Sequence, residues 1–224
     1  MLAEIITIGD ELLIGQVIDT NSAWMAGQLN MSGITVHQIT SISDNREHIL
    51  TTLHEASQRA ELILMTGGLG PTKDDITKET LCEYFDTKLV FSQEAFDNIN
   101  RIFNSRRFPM TELNRQQAMV PEGCIVLNNS NGTAPGMWFE KTGKIFVSMP
   151  GVPFEMKPMV AEQVLPRLAG HSDKIIIHRT ILTQGLGESF LSDILEDWET
   201  NLPSWLHLAY LPPPGNEAEV FLYL

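Results

Sequence analysis

The spacing of apolar residues cuts the chain into short elements. Ala3 to Ile8 reads as a buried strand, and Leu62 to Met65 is a continuous apolar run, as expected for strands covered on both faces of a parallel sheet. Ile34 to Ile42 alternates in part and predicts a strand between them. Gly9-Asp10-Glu11 ends the first strand, and Leu12 to Asp19 is expected to cross to a helix that begins near Asn21. In that helix Met25 and Leu29 share a face, with Gly33 placed as its C′ glycine. Ile49, Leu53, Ala56 and Ala60 recur at helical spacing, and Asp44 with Glu47 fits an N-cap and its N3 partner. The order is that of βα units in an open α/β sheet.

Further along, Leu81, Tyr84 and Phe85 give a helix its core face, and Ser92 to Asn104 predicts another. Ser105 to Pro109 reads as a loop, Thr111 to Met119 as a short helix, and Arg106, Arg107 and Arg115 as solvated. Ile125 to Leu127 and Met137 to Glu140 are short strands around a long Asn-Gly-bearing connection, and Lys144 to Met149 is a strand before a helix opened by Pro153. Gly170 to Asp173 predicts a linker, which divides the chain into domains 1–169 and 170–224. Beyond it, Lys174 to Leu182, Leu206 to Tyr210 and Ala218 to Leu224 read as strands and Glu188 to Trp198 as a helix. Pro212 to Gly215 joins the last two strands, so this is a small α+β unit. The closing EVFLYL stops inside a strand pattern, which predicts a piece of a longer protein.

The stretch with the most chemistry is ELILMTGGLGPTKDDITKET, Glu61 to Thr80. Gly67, Gly68 and Gly70 after the strand permit positive φ and close approach of a ligand to the main chain, and Pro71 with Thr72 is expected to set up a helix. Unpaired N–H groups at a helix start attract anions, and Asp74 and Asp75 there make sense when a hard divalent cation bridges carboxylate and phosphate oxygens. The same residues also read as a T-x-x-D capping box, so both readings stay open. Ligands of open α/β sheets sit beyond the carboxyl ends of the strands, which puts Asp10, Asp44 and Asp75 on one edge. For Asp44, capping alone is an equally good reading.

The 224 residues are enough for one large and one small domain, and 43% hydrophobic with 19% charged residues is ordinary globular composition. Asp and Glu number 28 against 15 Lys and Arg, a formal charge of -13, so no nucleic-acid partner is expected. An anionic ligand must then be held by local amides and cations, which favours a metal-assisted site. The acidic start lacks a signal-peptide n-region, and no stretch reaches the length of a membrane span; a cytoplasmic location without a membrane partner is expected. Cys82 and Cys124 make no disulfide framework, and the six histidines form no H-x-x-x-H pair. G-x-G-x-x-G, G-x-x-x-x-G-K-[ST] and G-x-S-x-G are absent, which removes Rossmann, P-loop and serine-hydrolase readings.

GDELLIGQVIDTN, TGGLGPTKDDIT, NRQQAMVP, NGTAPG and MPGVPFEM, in this order, resemble the amino-terminal part of the CinA (competence/damage-inducible protein) family. The resemblance implies a three-layer α/β/α molybdopterin-binding-like domain, akin to MogA and MoaB, with a mostly parallel sheet and a small α+β domain after it. It also implies metal-dependent hydrolysis of the diphosphate of ADP-ribose to AMP and ribose 5-phosphate, with Mg or Co as the divalent ion. The alternative is a molybdopterin- or nucleotide-binding module without catalysis, within a larger CinA-type protein. By the same resemblance Asp44 and Asp75 are the catalytic and metal-linked acids, joined by Asp74 or Asp10. Thr66, Gly67, Gly68, Gly70, Pro71 and Thr72 would cradle phosphate. Asn131, Gly132, Thr133, Ala134, Pro135 and Gly136, with Pro150, Gly151, Val152 and Pro153, would close over the nucleotide. A homodimer is expected. Longer members often carry a deamidase domain; the sequence ends before it, and deamidation is not expected.

Overall fold

The structure is a computed structural model that describes residues 1–171, 178–183, 185–211 and 219–223. Its contacts divide the chain into Met1–Asp173 and Lys174–Leu224. The first unit begins with β1 (Leu2–Ile8), α1 (Asp10–Leu13), α2 (Thr20–Met31), β2 (Thr35–Ile42), α3 (Arg46–Arg59), β3 (Leu62–Thr66) and α4 (Thr77–Phe85). An excursion follows through β4 (Leu89–Phe91), α5 (Gln93–Arg106), α6 (Glu112–Gln116) and β5 (Met119–Pro121). The chain then returns through β6 (Ile125–Leu127), β7 (Gly136–Lys141), β8 (Lys144–Met149) and α7 (Pro153–Met159), extended by a π-turn over Val160–Val164 and by α8 (Leu165–Leu168).

The main sheet has the order β2-β1-β3-β8-β7-β6. Its first four strands are parallel and β7 and β6 are antiparallel, so the fold is α/β with a mostly parallel sheet, as expected. Period-two alternation sends side chains to both faces, and both are apolar. Ala3, Ile5, Leu62, Leu64, Val147 and Met149 pack with Met25, Leu29, Met156 and Met159, whereas Ile6, Ile8, Ile63, Met65 and Phe146 pack with Ile49, Leu53, Ala56 and Leu81. Burial on both sides is why β3 reads as an unbroken apolar run; each fully buried Leu or Ile there stabilises the fold by about 2 kcal/mol. The charged exception is Glu4, buried on β1, whose two carboxylate oxygens accept from Arg59 Nε (2.6 Å) and Nη2 (3.0 Å) on α3.

Register fixes where the site forms. Ile8 pairs with Ile42, Thr7 with Thr66 and Thr66 with Met149, so the carboxyl ends of four parallel strands finish level. The next residues, Gly9-Asp10, Ser43-Asp44, Gly67-Gly68 and Pro150-Gly151, therefore share one edge.

Several local expectations are corrected. Residues 10–13 form the short α1 within the expected crossing, while α2 starts at Thr20, beside the expected Asn21, with the Asp19 side chain accepting from Ser22 N at 3.0 Å. The cap of α3 is Asn45, which accepts from the N–H groups of Glu47 (2.9 Å) and His48 (3.2 Å). Asp44 is drawn instead to the N–H of Asp10. Ser105 and Arg106 complete α5, which stops at Arg107 in a left-handed conformation. The helix expected from Thr111 ends at Gln116, because Met119 already pairs with Phe91 in the small β4-β5 sheet. Gly33, at a φ of 75°, follows α2 as expected of a C′ glycine.

In the second unit β9 (His178–Leu182), α9 (Glu188–Thr200), β10 (His207–Leu211) and β11 (Glu219–Tyr223) make an antiparallel sheet of order β10-β11-β9 beside one helix. The strand start expected at Lys174 and the Pro212 to Gly215 connection lie outside the described residues.

Candidate functional site

The glycine-rich turn after β3 is held from both sides. Gly67 N donates to the Met149 carbonyl at 3.0 Å, and its Cα faces the end of β1 so closely that a Cβ would lie 2.0 Å from the Ile8 carbonyl oxygen. At Gly68 the intruding atom would be Thr77 Oγ1, at 2.1 Å. Gly67 is therefore required by packing against main chain as well as by positive φ, whereas at Gly68 the positive φ is joined by a side-chain contact.

The turn does not lead straight into a helix. α4 begins at Thr77, and Asp74 and Asp75 lie in the loop before it. Asp75 folds this loop onto itself: Oδ1 accepts from Gly70 N (2.8 Å), and Oδ2 accepts from Thr72 N (3.0 Å) and from the Thr72 hydroxyl. The Thr72–Asp75 pattern is thus used inside the loop, while the Thr77 N–H donates to the Gly68 carbonyl. Asp75→Ala removes three acceptor contacts and is expected to cost about 2 kcal/mol in urea unfolding. Amide exchange at Gly70 and Thr72 is expected to accelerate, and unchanged protection of both would contradict this latch.

A cleft of about 550 Å³ opens over the edge, lined by Gly9, Glu11, Asp44, residues 67–71, Asp74, Asp75, Thr133, Ala134, residues 150–153 and Glu155. Five of these are carboxylates, and no lysine or arginine is among them. Burial pushes the Asp44 carboxyl above its ordinary range, opposed by the Asp10 N–H, and the charges of Asp10, Glu11 and Asp75 add to the rise. Asp74 is held below its ordinary range by the Thr72 side chain. Asp10 contributes its backbone N–H to Asp44 Oδ2 at 3.2 Å, and its side chain is outside the cleft lining, where Glu11 stands.

Of the other expected residues, Thr66 is buried and its hydroxyl donates to the Pro150 carbonyl at 2.8 Å, so it builds the wall. Gly67, Gly68, Gly70, Pro71, Thr133, Ala134, Pro150, Gly151, Val152 and Pro153 line the cleft; Thr72, Asn131, Gly132, Pro135 and Gly136 do not. Arg107 and Arg115 are exposed and also lie outside it.

Three residues outside that set organise the walls. Asn21 Nδ2 donates to the Gly151 carbonyl (2.7 Å) and to Thr66 Oγ1 (3.4 Å), joining α2 to two strand ends. Asn129 Oδ1 accepts from the N–H groups of Asn131 and Gly132, and its Nδ2 donates to the Ala134 carbonyl and to Glu155. Glu155 presses against Gly132, where a Cβ would lie 2.1 Å from its Oε2. Their one trace in the sequence is position inside IDTN, NNSNG and GVPFE; the partners of Asn21 lie up to 130 residues away.

Among the described residues no three His, Cys, Asp or Glu side chains are gathered as a ligand set. The donors still fit a hard cation that takes one or two carboxylates and completes its shell with water and ligand phosphate. Asp44, raised by burial and by three neighbouring acids, is the carboxylate such a cation would relieve most.

Residues 4–170 match the family described as "Probable molybdopterin binding domain". A CinA-like protein of Flavobacterium psychrophilum is 50% identical over 217 residues, 96% of this chain and 52% of that protein. A CinA-like protein of Cytophaga hutchinsonii is 48% identical over 214 residues, 95% and 51% respectively. The chain thus spans about half the length of these curated relatives. The solved CinA of Thermoplasma acidophilum, titled as of unknown function, superposes with a TM-score of 0.66 at 29% identity, over 73% of this chain and 97% of that one. MoaB of Thermus thermophilus, titled a molybdopterin biosynthesis enzyme, gives 0.50 at 21% identity over 77% and 99%, a likeness of fold.

These matches overturn the expected hydrolysis of the ADP-ribose diphosphate. The matched domain is described by what it binds, and neither the CinA-like relatives nor the solved CinA is named for a hydrolase. Among the described residues no helix is long and apolar enough to cross a membrane.

Proposed function

Since the chain belongs to the "Probable molybdopterin binding domain" family, and within it to the CinA-like proteins, we propose that its first unit is a nucleotide- or molybdopterin-binding module of a CinA-type protein, without chemistry of its own. The observation that carries this reading is the glycine-walled cleft of about 550 Å³ at the level carboxyl ends of the parallel strands. Gly67, Gly68, Gly70 and Gly151 are in its lining, and at these positions a phosphate can approach the main chain without meeting a Cβ.

The acid-only lining sets the condition for binding. A bare phosphate would meet Glu11, Asp44, Asp74, Asp75 and Glu155, so the ligand enters together with a divalent cation, Mg or Co, held by Asp44 and helped by Asp75. The cation supplies charge neutralisation between carboxylate and phosphate. The protein supplies the shape, the excluded water and the fixed main-chain dipoles.

Calorimetric titration with ADP, with and without Mg²⁺, tests this. Binding is expected only with the cation, Asp44→Asn is expected to weaken it about tenfold, the loss of one charged contact, and ADP is expected back intact. Release of AMP would overturn the reading of a pure binder, and absence of binding with Mg²⁺ would overturn the cleft as a nucleotide site.

A further inference from the structure

The wall formed by Gly68, Leu69, Gly70 and Pro71 is shared with a second cleft of about 640 Å³ that the nucleotide reading does not use. Its remaining lining comes from α4 and from the β4–β5 excursion, and its charge is of a different kind. Lys73 and Lys78 line it together with the carboxylates of Asp75 and Glu79, whereas the first cleft holds no basic residue.

Lys78 is 7% exposed, and its Nζ donates to the backbone carbonyl of Gln117 at 3.0 Å. None of the ion pairs among the described residues includes it. An ammonium carries three N–H donors, and burying one without a counter-ion is costly. Gln117, 4% exposed, also lines the cleft, and its side-chain Oε1 has no hydrogen-bond partner. A buried cation and a buried unpaired acceptor thus meet in one cavity. Leu89, Leu113 and Met119 give that cavity an apolar flank, and a space of this size exceeds what a free phosphate ion fills. The carboxylate of Asp75, also in the lining, is turned onto the Gly70 and Thr72 amides.

We infer that this cleft is a second ligand site, for an organic phosphate whose anionic group pairs with Lys78 and whose body lies against Leu113 and Met119. A turn of the Gln117 side chain brings its partnerless Oε1 to a hydroxyl or amino donor of that body. Lysine serves here as a point charge for phosphate, and the apolar flank separates an organic phosphate from the inorganic ion.

Phenyl phosphate and inorganic phosphate, titrated separately into the whole chain and followed by amide and ³¹P resonances, distinguish the two sources. Phenyl phosphate is expected to bind saturably, more tightly than inorganic phosphate, with shifts at Lys78, Gln116 and Gln117. Lys78→Met is expected to weaken it at least about tenfold, the loss of one charged contact. Gln117→Glu, which sets a carboxylate on the residue that already holds the ammonium, is the second variant and is expected to abolish binding while unfolding stays cooperative. Shifts confined to Thr133 and Val152, which line the first cleft and not the second, would overturn the assignment. So would equal affinity for both phosphates, or undiminished binding in either folded variant.

Discussion

Gly67→Ala is expected to cost more than about 4 kcal/mol, enough to unfold a domain of ordinary stability. The residue sits at a φ of 116°, a conformation that L side chains rarely adopt. Its added Cβ would lie 2.0 Å from the Ile8 carbonyl oxygen, which is main chain at the end of β1 and cannot rotate away. Relief requires moving β1 away from β3, but Thr7 and Thr66 are in register there and Gly67 N is tied to Met149 on β8. The neighbouring change gives a scale. In Gly68→Ala the closest atom is a side-chain hydroxyl, Thr77 Oγ1, which has no hydrogen bond to lose, so a shift of the Thr77 side chain eases the contact and leaves Thr77 Cβ and Asp44 Oδ1 at 3.2 Å. That variant is expected to cost about 1–2 kcal/mol, mostly from the left-handed backbone. Urea unfolding of both measures the difference, and a Gly67→Ala protein within about 1 kcal/mol of the parent would show that the end of β1 yields.

What was legible in the chain follows the range of the forces involved. The strands were readable because both faces of the sheet are covered, which turns Leu62 to Met65 into an uninterrupted apolar run whose alternate members face different cores. Asp44 and Asp75 were readable as edge acids because strand ends and glycines mark that edge. Their local partners were not. Asp44 and Asn45 are both good caps, and only the N–H of Asp10, 34 residues away, decides that Asn45 takes the helix. Thr72 and Asp75 carry a capping pattern that the loop uses for itself, so α4 starts only at Thr77, later than the pattern predicts. Asn21 and Asn129 act through partners that only the folded sheet brings near, and a lone lysine on a helix gives no sign in one dimension that it will be buried. The chemistry was least legible, because an edge lined by acids and glycines suits binding as well as hydrolysis.

Two groups that burial shifts in opposite directions should give the stability of this protein an unusual shape at alkaline pH. Burial lowers Lys78 from its ordinary 10.5 to about 8, whereas burial raises the Cys124 thiol from 9.0 to about 11, with the Cys82 thiol raised as well. Between about pH 8 and 10.5 the unfolded chain keeps a proton on Lys78 that the folded one has released, so stability rises with pH, by about 3 kcal/mol in total. Between 9.0 and about 11 the unfolded chain has lost a Cys124 proton that the folded one retains, so stability falls, by somewhat less because this thiol is partly exposed. The sum is a rise from about pH 8 to 9, a plateau while the two oppose each other, and a decline above pH 10.5. Lys78→Met deletes the rise and is expected to be more stable than the parent at pH 7 by about 2 kcal/mol, the removed charge penalty less the hydrogen bond to Gln117. Cys124→Ala deletes part of the decline. Urea unfolding across this range in a phosphate-free buffer measures all three proteins, and parallel parent and Lys78→Met curves would show that the ammonium is not desolvated. Phenyl phosphate added at pH 7 should then stabilise the parent in proportion to its occupancy and leave Lys78→Met nearly unmoved, because a counter-ion offsets a penalty that only the lysine protein carries.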